Sequence, residues 1–75
     1  MITVQLVLKN EFGEFFGKKV KMNPENYKKL IEISNGFYNN NGFELSCEDG
    51  SYVVFAPDIV KKSILIVKKI SEEKE

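Results

Sequence analysis

Few residues in this chain could do chemistry. Cys47 is its one thiol, followed directly by Glu48 and Asp49, with Glu44 three positions upstream. A nucleophilic cysteine works as the thiolate, and neighbouring acids oppose formation of that anion. The alternation of apolar residues also turns Cys47 inward, so it reads as a core residue. Glu48 and Asp49 would sit at a tight turn, where water solvates both carboxylates and neither is pushed toward a general-acid role. A hard cation on Glu44, Glu48 and Asp49 is conceivable, but no ligand loop at calcium-like spacing is present. The chain has no histidine, which removes the commonest general base and zinc ligand. Glycines 13, 17, 36, 42 and 50 are scattered, without the spacing that cradles a phosphate. No catalytic residue, metal or cofactor is expected.

Basic chemistry is the other possibility. All eleven cationic side chains are lysines, balanced by eleven acids. Without arginine there is no bidentate fork for phosphate or guanine. Abundant Lys, Asn and Ile fit the coding bias of an AT-rich genome. Lysine pairs occur at 18/19, 28/29, 61/62 and 68/69. Neighbouring strand residues point to opposite faces, so such pairs divide across a sheet rather than forming one basic stripe. A nucleic-acid reading would use Lys18, Lys19, Lys28 and Lys29, with Phe12, Phe15, Tyr38 and Tyr52 as stacking platforms. Zero net charge weighs against it.

The elements that must position these residues are legible. Ile2 to Lys9 alternates as a half-buried strand. After the Asn-Glu-Phe-Gly turn, Glu14 to Met22 reads as a second strand with Phe16, Val20 and Met22 on one face, giving an antiparallel hairpin. Asn23 and Pro24 open a helix whose inner stripe is Tyr27, Leu30 and Ile31. Gly36 suits a left-handed helix end, with Phe37 and Tyr38 folding back over its base. Phe43–Cys47 and Tyr52–Ala56 flank Asp49-Gly50, a two-residue hairpin signal that sets Cys47 opposite Tyr52, Leu45 opposite Val54 and Phe43 opposite Ala56. Pro57 closes that strand and leads into a helical turn. In Lys61–Ile70, "KKSILIVKKI", the unbroken apolar run implies a strand buried on both faces, hence central in its sheet.

Seventy-five residues make one domain, expected over 1–70, with 71–75 a frayed charged tail. The fold class is α+β: order β-β-α-β-β-β, a mixed or antiparallel five-stranded sheet with one helix packed on it. Element order and spacing resemble the β-grasp, or ubiquitin-like, fold, which implies a last strand beside the first. An antiparallel meander of the last three strands is the rival. The chain ends Lys-Ile-Ser-Glu-Glu-Lys-Glu rather than Gly-Gly, so the resemblance does not imply conjugation chemistry.

The strand-like pattern at the start leads us to expect no signal peptide, and no apolar run approaches the ~20 residues of a membrane span. One unpaired thiol suits a reducing, cytoplasmic location. Six Phe, three Tyr and many aliphatics exceed what one helix can cover. The reverse sheet face is expected to carry Val7, Phe15, Val53 and Phe55 as a contiguous patch, the mark of an interface. The expected function is therefore a non-catalytic protein-interaction module acting through that face or a strand edge. Its partner would be another protein or a second copy, with no membrane or small-molecule ligand. A phage- or plasmid-encoded inhibitor or accessory protein is a fitting class.

Overall fold

A computed structural model of the chain describes residues 1–73. The elements are β1 (Ile2–Asn10), β2 (Gly13–Phe16), β3 (Val20–Met22), α1 (Pro24–Ser34), a 3₁₀ turn (Phe37–Asn39), β4 (Phe43–Ser46), β5 (Tyr52–Phe55), α2 (Pro57–Lys61) and β6 (Ile64–Glu72). They form one small α+β domain whose paired strands are all antiparallel. β1 is the central strand. β2 and β3 pair along one side of it and β6 along the other, while β4 and β5 make a separate hairpin.

The expected second strand is two strands, and the interruption has a physical cause. At Gly17 the backbone runs so close to its neighbours that a Cβ would stand 3.0 Å from both Leu6 O and the Leu45 side chain. The chain kinks there, and the pleat changes phase. Phe16 lies opposite Val7, whereas Val20 lies opposite Val4. Val4 and Val7 point to opposite faces of β1, so Phe16 leaves the face it was expected to share with Val20 and Met22. Gln5 holds the kink, its side-chain amide donating to Gly17 O (2.9 Å) and to Glu48 Oε2 (3.0 Å). Both bonds count, because Gln5 is buried and an unpartnered amide there would be costly.

The second hairpin is also shifted from expectation. Phe43 pairs with Phe55, Leu45 with Val53 and Ser46 with Tyr52. The loop has three residues, Glu48–Gly50, because Cys47 N donates to Ser51 O (2.8 Å) and Gly50 N to Cys47 O (3.0 Å). Gly50 takes the positive φ (91°) that ends such a loop. Asp49 favours it by accepting from Ser51 N (2.9 Å) and Ser51 Oγ (2.6 Å). One extra loop residue flips every side chain of β5. Phe55 turns into the core, and Tyr52 and Val54 turn out.

The core lies at one end of the even-numbered face of β1. Leu8, Phe37, Leu45, Cys47, Phe55 and Val60 are buried together, with Phe15, Phe43, Val53 and Leu65 packed against them. Phe15 and Phe55 meet edge to face at 5.1 Å, and Phe37 meets Phe43 at 4.9 Å. α1 starts as expected, with Asn23 Oδ1 accepting from Asn26 N (2.7 Å) and Pro24 in the first turn. Gly36, however, keeps a negative φ, and the chain passes into the 3₁₀ turn that buries Phe37. α1 itself buries no residue fully, so the hairpin and Phe37 close the core more than the helix does.

β6 departs most from expectation. It pairs with β1 antiparallel from Ile64 opposite Lys9 to Glu72 opposite Ile2. A β-grasp would set it parallel to β1, and a meander would set it beside β5; it does neither. It is not central but an edge strand, and no residue in it is buried. Ser71 and Glu72, expected in a frayed tail, belong to the strand, and Glu73 N donates to Met1 O (2.8 Å). Lys74 and Glu75 of that expected tail lie outside the described residues.

Candidate interaction surface

The two faces of β1 meet different surroundings. Ile2, Val4, Leu6 and Leu8 point toward α1 and the β4–β5 hairpin. Thr3, Gln5, Val7 and Lys9 point to the opposite face. Cross-strand register places Phe16 on one side of Val7 and Ile66 on the other, with Ile64 next along β6 opposite Lys9. An apolar row, Phe16–Val7–Ile66, thus crosses three strands. Of its two ends Phe16 is 39% exposed and Ile66 half-buried, while Ile64, two residues along β6, is 59% exposed. Val7, between Phe16 and Ile66, is only 3% exposed. Charges border the row: Lys9 pairs with Glu14 at 3.3 Å, and Lys68 lies opposite Gln5.

The expected interface is therefore redrawn. Val7 is on the open face but buried. Phe55 is buried in the core, and Phe15 and Val53 are half-buried against it. The structure does not bring Phe15, Val53 and Phe55 onto one open face with Val7. Phe16, Ile64 and Ile66 are there instead. The signal that could have found Phe16 was Gly17 followed by two lysines, an awkward sequence for the interior of a strand.

A second apolar surface lies on the covered side. Because α1 packs loosely, a groove of about 370 Å³ remains between it and the hairpin, lined by Val4, Leu6, Val20, Met22, Leu30 and Leu45. Lys18 and Glu44 stand at its margins.

The nucleic-acid candidates fall on separate elements. Lys18 and Lys19 lie in the break between β2 and β3, and Lys28 and Lys29 on the wet side of α1; all are exposed. The acids are spread by their own bonds. Glu44 accepts from the Tyr52 hydroxyl, Glu48 from Gln5 and Asp49 from Ser51. Ser51 holds the Asp49 carboxyl below its ordinary value, and the Glu44 carboxylate holds the Tyr52 phenol above its own. Among the described residues no three His, Cys, Asp or Glu side chains gather as a metal site. Cys47 is buried, its Sγ 3.9 Å from Leu45 O, as expected of a core residue. No helix of the described residues is long and apolar enough to cross a membrane. Compared with known proteins, the chain matches no family model, no curated protein and no solved structure.

Proposed function

We propose that this chain is a small non-catalytic protein-binding module that works through the open face of its four-stranded sheet. The observation that carries the reading is the row Phe16–Val7–Ile66, continued by Ile64, in which Phe16 and Ile64 are exposed. A contiguous apolar area bordered by Lys9, Glu14 and Lys68 has the make-up of an interface: an apolar centre with a charged rim. Binding there needs shape and apolar complementarity, and no bond is made or broken. A reducing, cytoplasmic setting suits the unpaired Cys47.

A photo-crosslinking residue placed at Phe16 in producing cells tests this. It should yield discrete adducts with protein that Ile64→Glu, on the same face, abolishes. The same probe at Glu25, on the wet side of α1, should yield none. Equal labelling from Phe16 and Glu25 would contradict the reading. The nucleic-acid alternative would show instead as a gel shift that fades steeply with salt and is lost in a Lys18→Ala, Lys19→Ala double variant.

A further inference from the structure

We propose that the partner of this surface is a second copy of the chain, joined through the free edge of β6 by antiparallel self-pairing with Ile66 on the two-fold axis. The inference rests on the protein-binding reading above and names the occupant. Ile64–Val67 has the composition of a strand covered on both sides, yet the strand is bonded on one edge only and leaves none of the four buried. A free edge of this kind is a template for another strand.

Two further observations select the second copy and the register. The first is continuity. In a two-fold antiparallel pair, residues opposite each other share a face, so one residue of each copy must sit opposite itself. With Ile66 there, Leu65 lies opposite Val67, and the open-face row becomes Phe16–Val7–Ile66–Ile66–Val7–Phe16 across both molecules. The free stretch Ile64–Lys68 is used in full. It stops short of the irregularity where β6 slips against Thr3 and Val4.

The second is charge. The two ends of β6 differ in sign: Lys61 and Lys62, at the close of α2, precede it, while Glu72 ends it and Glu73 follows, these exposed acids pairing with Lys69 (2.9 Å) and Lys21 (3.8 Å). Antiparallel pairing about Ile66 brings the basic flank of each copy alongside the acidic end of the other. Lys68 lies opposite Ile64 and Lys69 opposite Ser63. Moving the axis to Leu65 would oppose Ile66 with Ile64 and run the row onto Lys9 of the other copy, and moving it to Lys68 would set that lysine against itself, which is unfavourable. An axis at Val67 would oppose Ile66 with Lys68 and end the apolar row.

Sedimentation equilibrium and single-cysteine crosslinking test the pairing on the whole chain. The native chain should show a dimer mass that falls to monomer on dilution. Ile66→Lys sets two ammonium groups face to face on the axis and should weaken association about a hundredfold, with an unchanged circular-dichroism spectrum. Ile66→Cys should close a disulfide between copies, since directly opposed residues lie within reach of one. Ile64→Cys, whose counterpart would be Lys68, should crosslink far more slowly. A monomer mass at every soluble concentration, or equal crosslinking at 64 and 66, overturns the pairing. Either result leaves the cellular adducts from Phe16 to decide whether another protein uses the face, so the two proposals can fail separately.

Discussion

The two edges of the four-stranded sheet are handled in opposite ways. The β2–β3 edge is interrupted at Gly17, and the end of β4 is bonded onto it: Lys18 N donates to Ser46 O (3.0 Å) and Glu48 N to Phe16 O (3.0 Å). An isolated bridge between Gly17 and Cys47 completes the junction. That edge is made of short strands, kinked, and occupied at the kink. The β6 edge runs for nine residues, is apolar over its first four, and has β1 as its one strand partner among the described residues. A sheet edge is a hazard unless it is covered, kinked or charged. This chain kinks one edge and covers it at the kink. On the other it places Lys68, Lys69 and a bulge only in the second half. The stretch left unguarded, Ile64–Val67, borders the apolar row of the open face. The difference separates structural closure from a surface kept available.

If that contrast holds, substitutions should divide the same way. The largest effect belongs to the strand between the edges. Leu8→Ala removes a fully buried side chain from the core and should cost about 2–5 kcal/mol, read from urea unfolding. Ile64→Ala on the open edge should shift the same curve by less than about 0.5 kcal/mol in dilute, monomeric protein. Equal costs would mean that the open edge is core after all.

Next comes the closed edge. Gly17→Ala drives a methyl to 3.0 Å from Leu6 O, and backbone cannot move aside as a flexible side chain does. A loss of about 1–3 kcal/mol is expected, with faster amide exchange at Lys18 and Glu48. Unchanged exchange there would show that the kink does not depend on the absent side chain.

The smallest effect is a titration on the outer face of the hairpin. The Tyr52 phenol, bonded to Glu44, should ionise above the ordinary tyrosine value by ultraviolet absorbance, and Glu44→Gln should lower it. A pKa raised by folding stabilises the fold below the ordinary tyrosine value, and that contribution disappears as pH rises through the raised one. Asp49 works in the opposite sense. Its lowered value stabilises the loop above the ordinary carboxylate range, and the contribution is lost as pH falls through the folded value. A Tyr52 whose ionisation is unchanged by Glu44→Gln would place Glu44 elsewhere in solution.

Much of this was legible in the residues. Ile2–Lys9 reads as a strand because its period is two, and Asn23-Pro24 reads as a helix start because both residues suit the positions they take. The inward Cys47 follows from the same alternation. The patch was misread for two local reasons with wide consequences. Gly17 shifts the pleat of the second strand by one, which exchanges Phe15 and Phe16 between faces. The bonds from Ser51 to Asp49 favour a three-residue loop over the two-residue Asp-Gly turn, which carries Phe55 inward. Both are single-residue slips, and a strand pattern has no internal check against them. β6 was misplaced for a different reason. An apolar run reports that a strand will be covered, but not whether its own chain or another molecule covers it. The groove beside Leu30 depends on how closely α1 packs, which no periodicity reveals.

The central claim is that the β6 edge, unlike the β2–β3 edge, is completed by another molecule. Amide hydrogen exchange across a dilution series reads both edges in one experiment. The account predicts that Lys18 and Glu48 amides stay protected at every concentration, while the outward amides within Ile64–Lys68 become protected only as concentration rises. Outward β6 amides that exchange at unstructured rates throughout, in the purified protein and alongside the partner captured at Phe16, would contradict it.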